Sequence, residues 1–168
     1  MPYVPRSGEF TISFDARSDL SGISVFMRRF GWPVAAIRKK DPRGDEYLIS
    51  TESFEVYVPG DYQPDTLYGL FVWISPGDSG VIPEAYKPAL DKYRLIWIGA
   101  NKSGNDRQPW YRHRLAIDAA HNMQKYYTID KKRGYVGGHR RQQICQYPCN
   151  CLSRIFSRWI LSHGVQLP

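Results

Sequence analysis

The run Leu67–Ile74, LYGLFVWI, contains no charged or amide side chain over eight residues. A strand with one wet face would alternate polar and apolar positions, so this run predicts a central strand covered on both faces. Leu95–Ile98 (LIWI), closed by Gly99, predicts a second buried strand. Phe54–Val58 (FEVYV), ended by Pro59 and Gly60, predicts a third. The intervening segments carry loop and helix signals: the turn-forming block SPGDSG at 75–80, a helical stretch near Glu84–Asp91 and the polar loop ANKSGNDRQP. Trp110–Tyr127 then reads as one long helix with Leu115, Ala119, Asn122 and Met123 on one face. The run IDKKRG leads into a last short strand at Tyr135–Val136, followed by Gly137 and Gly138. Strands alternating with helices indicate an α/β domain with a parallel sheet.

Ahead of this body, Glu9–Phe14 alternates as a short strand, and Leu20–Phe30 places Ile23, Phe26, Met27 and Phe30 at helical spacing before the stop at Gly31. The charged stretch RKKDPRGDE reads as a solvated turn, and Tyr47–Ile49 as a further strand. The expected division is an N-terminal strand-helix extension at 1–46, a partial α/β domain at 47–139 and a separate tail at 140–168.

The tail stands apart in composition. The chain's net charge of +7 is divided unevenly, because residues 140–168 hold Arg140, Arg141, Arg154 and Arg158 with no acidic residue. The remaining +3 is spread over 139 residues, too weak a field to mark the body as a nucleic-acid or membrane binder. All three cysteines, Cys145, Cys149 and Cys151, also lie in the tail. An odd count leaves no complete disulfide framework, and their spacing is a poor match to a four-ligand zinc site. Leu152–Leu161 reads as a basic amphipathic helix, with Leu152, Ile155, Phe156, Trp159 and Ile160 beside the two arginines. No apolar run reaches membrane-spanning length and the first residues lack a secretory pattern, so a cytoplasmic location is expected.

The segments FEVYVPGDY (54–62), YGLFVWISPGDSG (68–80), LIWIGANKSGN (95–105), YYTID (126–130) and RGYVGGH (133–139) resemble, in order, the α/β-hydrolase-like serine esterases of the poly(hydroxyalkanoate)-depolymerase kind. The resemblance covers about ninety residues and implies an incomplete, mostly parallel α/β-hydrolase-like sheet with flanking helices, ended by an aberrant basic tail. It implies a small ester or peptide substrate for the intact relative, attacked by acyl transfer through a serine, and no cofactor. Ser75, Pro76 and Gly77 match the loop that contributes a backbone donor to the oxyanion hole. Pro76 has no N–H, so the donor there is Gly77 or a neighbour.

Gly138, His139 and Arg140 match the nucleophile elbow, G-x-S-x-G, with Arg140 at the serine position. Arginine is a permanent cation without a hydroxyl or thiol, and Arg141 and Gln142 crowd a turn that needs small residues. A change of reading frame accounts for this: codons compatible with residues 140 onward, read one base later behind a restored serine, give Gly-His-Ser-Gly-Gly. The expectation is therefore a serine-hydrolase fragment, truncated or frameshifted at the elbow and inactive as given.

Other candidates carry less. His139 is not placed as a general base, and His163 has no partner set around it. His113 and His121, eight apart on the long helix, read as surface or boundary residues. Asp106 and Asp118 have no evident acid–base partner. Two alternatives stay open: a non-catalytic binding or scaffold module, and nucleic-acid or membrane association through the tail. Whichever holds, a sheet lacking its second half is expected to be molten or to self-associate through exposed surface.

Overall fold

The computed structural model describes residues 5–30, 35, 47–139 and 158–162. Among these, six strands form one sheet: β1 (Gly8–Ile12), β2 (Phe54–Val58), β3 (Tyr68–Ile74), β4 (Leu95–Ala100), β5 (Ile129–His139) and β6 (Arg158–Ser162), in the spatial order β1-β2-β4-β3-β5-β6. β1 and β2 pair antiparallel, as do β2 and β4, whereas β4, β3, β5 and β6 run parallel. Helix α1 is Ile23–Phe30, α2 is Lys87–Tyr93 and α3 is Pro109–Tyr126. The arrangement is an incomplete α/β-hydrolase-like sheet with flanking helices, as the sequence predicts.

The period-2 pattern of the strands sorts side chains cleanly between two layers. Phe54, Val56 and Val58 of β2, Leu70, Val72 and Ile74 of β3, Ile96 and Ile98 of β4, and Val136 of β5 enter the main core. There they meet Leu115, Ala119 and Met123 of α3 and Phe26 and Met27 of α1. Each such aliphatic side chain contributes about 1.5–3 kcal/mol through its burial. The opposite face is smaller: Tyr57 and Trp97 pack with Ile82 and with Leu90 of α2, while Phe71 and Trp73 are half-buried beside them. The Phe71 and Trp97 rings stack 5.2 Å apart and are inclined by only 1°. The apolar runs are thus covered fully on one side and in part on the other.

α3 opens with Pro109, whose missing N–H costs nothing in the first helical turn. Beyond its apolar face it carries Arg114, Asp118 and Asn122, each fully buried. Each of these groups bonds to the N-terminal segment, which lies across the helix, although the Asn122 side-chain oxygen itself finds no partner. The Asp118 carboxylate accepts from the Ser18 N–H at 2.7 Å and from the Tyr47 hydroxyl. Arg114 donates to the Ser21 carbonyl at 2.5 Å, and Asn122 to the Ala16 carbonyl at 2.7 Å. The Tyr47 ring also faces two guanidinium groups, Arg17 at 4.5 Å and Arg114 at 4.9 Å. Burial, reinforced by the Asp118 charge, pushes the Tyr47 phenol well above its ordinary pKa, and burial lowers that of Arg114.

Three sequence expectations change. Tyr47–Ile49 is no strand: the Tyr47 side chain turns inward to Asp118, and Ile49–Thr51 forms a 3-10 turn that the Thr51 hydroxyl closes onto the Leu48 carbonyl at 2.8 Å. His113 is buried rather than at the surface, its ring 6.1 Å from that of Phe26 because α1 packs over this part of α3. Asp118, read without an acid–base partner, is held instead by the structural bonds from Ser18 and Tyr47. Within the expected tail helix, Arg158–Ser162 is instead a strand paired parallel with Tyr135–His139. The open edge of β5 supplies the backbone partners that an isolated helical turn there would lack. The three cysteines and the charged stretch at 38–46 lie outside the described residues.

Candidate functional site

β3, β4 and β5 are parallel, so their carboxyl ends and the loops that follow share one edge of the sheet. The chain leaves β3 for β4 on one side and leaves β5 for β6 on the other. In open α/β sheets, ligands bind at the carboxyl ends of the strands where outgoing connections part in this way. Ile74 of β3 lies opposite Gly138 of β5. The next residues along these strands are Ser75 and His139, so the register brings the oxyanion-loop match and the elbow match to the same crevice.

The loops after β3 and β4 are built into one another. Asn105 N–H donates to the Pro76 carbonyl at 3.0 Å and Lys102 N–H to the Asp78 carbonyl at 2.8 Å. The Asp78 carboxylate accepts from Gly104 N–H at 3.1 Å, and the Asn101 side chain accepts from Gly80 N–H at 3.0 Å. Asn101 also donates to Glu55 at 2.6 Å and to the Ser53 hydroxyl at 3.2 Å, tying this edge to β2. Trp97 adds a bond from its indole N–H to the Gly80 carbonyl at 2.9 Å. On the flank, Arg107 grips Glu52 with both terminal nitrogens, at 2.8 and 2.5 Å. That pairing raises the Arg107 pKa further.

Of the residues marked in the sequence, Ser75 is buried, and its hydroxyl accepts from Gly77 N–H at 3.2 Å. Gly77 N–H is therefore committed to Ser75 in this state. Gly138 is buried within β5, and His139 continues the strand opposite Ser162. Arg140 lies outside the described residues. Neither helical histidine is a base poised over the crevice: His113 is packed against Phe26, and half-buried His121 has its pKa lowered by burial and by Lys125. Sequence reasoning missed Arg112 and Asn101, whose importance comes from loops that converge only in three dimensions. The signal available for Arg112 was its place in the first turn of the long helix, directly after a polar loop.

Among the described residues no group of three or more His, Cys, Asp or Glu could hold a metal ion, and no helix is long and apolar enough to cross a membrane.

No family model matches the chain, and no curated protein matches it. Solved structures do. Oligopeptidase B from Leishmania major is 13% identical, with a TM-score of 0.50 over 66% of this chain and 18% of that one. A thermostable esterase is 16% identical, with a TM-score of 0.49 over 64% of this chain and 36% of that one. A prolyl endopeptidase is 14% identical, with a TM-score of 0.48 over 66% of this chain and 19% of that one. The chain thus spans between about a fifth and about a third of these structures. At 13% identity and this partial coverage, the likeness to oligopeptidase B is one of fold alone.

Proposed function

We propose that the chain descends from a serine hydrolase acting on small esters or peptides by acyl transfer, and that it is inactive because its reading frame departs from the hydrolase frame at residue 140. The observation that carries this reading is the convergence of β5 and the 75–77 loop at the carboxyl edge of the sheet, with Arg140 following where the serine belongs. A backbone donor at this edge would suit a developing oxyanion once substrate excluded water from it. An arginine side chain supplies no nucleophile beside it. Ser75, Pro76 and Gly77 are then the oxyanion-loop remnant, and Gly138, His139 and Arg140 the elbow remnant.

Incubation of the purified chain with a fluorophosphonate probe tests the inactivity. No serine should be labelled, and stoichiometric labelling at one serine would overturn the reading. The encoding DNA across codons 136–142 tests the ancestry. A hydrolase continuation in the neighbouring frame is expected, and its absence would favour a genuine non-catalytic binding or scaffold module.

A further inference from the structure

Arg112 is almost wholly buried, 3% exposed, in the first turn of α3. Its guanidinium donates through Nη2 to the Ser75 carbonyl, in the loop after β3, and through Nη1 to the Asn105 side-chain oxygen at 3.5 Å, in the loop after β4. A guanidinium removed from water is costly unless its donors are taken up, so its placement strongly favours conformations that keep acceptors there. One of those acceptors is the carbonyl two residues before Gly77, and the other belongs to the residue whose N–H holds the Pro76 carbonyl at 3.0 Å. The planar fork reaches two oxygens at once at fixed angles, which a lysine ammonium cannot reproduce.

We infer that Arg112 is the positioning residue of this edge, holding the two loops in register and thereby setting where the Gly77 N–H stands. Its effect on an oxyanion would be indirect, through the loop backbone, and this role rests on the reading of 75–77 as an oxyanion-loop remnant. The loop geometry itself can be measured whether or not that reading survives.

The test is hydrogen exchange, read by mass spectrometry on dilute full chain, for Arg112→Ala and Arg112→Lys. In Arg112→Ala, peptides covering 75–82 and 101–108 should exchange at least about tenfold faster, while β4 and the middle of α3 keep their protection. Millimolar methylguanidinium should restore protection in Arg112→Ala, and Arg112→Lys should restore it only in part. Unchanged loop exchange in Arg112→Ala would overturn the proposal. If that variant unfolds throughout, Arg112→Lys decides: loosened loops over an intact core support it, and loops that stay protected or are lost together with the core overturn it. Serine labelling by the fluorophosphonate would defeat the proposed inactivity and leave this result standing, so the two failures are distinguishable.

Discussion

Gly80 and Gly99 meet backbone to backbone: a β-carbon on Gly80 would fall 2.1 Å from the Gly99 carbonyl oxygen, and one on Gly99 would fall 2.4 Å from that of Gly80. Neither backbone can yield, because Gly99 is inside β4 and Gly80 is held by Asn101 and Trp97. Gly80→Ala is expected to cost about 3 kcal/mol by overpacking, seen in chemical denaturation. The Trp97 fluorescence should shift as its bond to the Gly80 carbonyl is pulled apart. A change below about 0.5 kcal/mol would show that the loop is free to move aside.

Tyr47→Phe should destabilise the fold by about 1.5–3 kcal/mol, since the fully buried Asp118 carboxylate would lose a donor. The pH dependence follows from the raised phenol pKa. Folding favours the protonated phenol, so its stabilisation is whole below the unfolded value of 10.0 and is lost as the pH climbs above it toward the folded value. Thermal unfolding followed from about pH 8 to pH 11 should therefore decline more steeply for the parent chain than for Tyr47→Phe.

Tyr57 offers a second alkaline marker. Burial, with its hydrogen bond to Asp91 at 2.6 Å, pushes its phenol up to about 12. In an ultraviolet titration the Tyr57 phenol should stay un-ionised until about pH 12 or the loss of the fold, and Tyr57→Phe should remove that late absorbance step.

Arg140→Ser alone should not bring turnover of small acyl esters above background. The change adds a hydroxyl but leaves Arg141 and Gln142 where the motif calls for small residues, and it moves neither helical histidine. Hydrolysis of a chromogenic short-chain ester is the measurement. Clear turnover would mean that a base is already in place.

Leu67 and Tyr93, each more than half exposed, flank the amino ends of β3 and β4, and Phe71 and Trp73 are only half-covered. Concentration-dependent association is expected in sedimentation velocity. A monodisperse monomer that unfolds cooperatively would instead favour a self-sufficient binding domain.

The strands were legible where local sequence alone decides them. Phe54–Val58 needed only its apolar residues and its Pro-Gly stop, and Leu95–Ile98 was extended by just Gly99 and Ala100. The buried charges of α3 were not legible, because Arg114 and Asp118 are paid for by Ser21, Ser18 and Tyr47, which lie some seventy to a hundred residues away. A helix read by itself assigns such residues to water. The strand at Arg158–Ser162 was hidden in the same way: its apolar and basic residues fit a helical wheel, and only the neighbouring β5 edge makes extension the better outcome. The crevice was legible as two separate motifs, and what the sequence withheld was the bracing between its loops.

The register of β5 on β3 slips once, since Tyr68 faces Ile129 while Leu70 faces Gly134. Two steps along one strand thus correspond to five along the other, and the surplus includes the exposed Lys131 and Lys132. Chain length at that point is not counted by the sheet. An inserted residue or a short epitope between Asp130 and Arg133 should be absorbed locally, making this the natural place to attach a reporter without displacing Tyr135–His139.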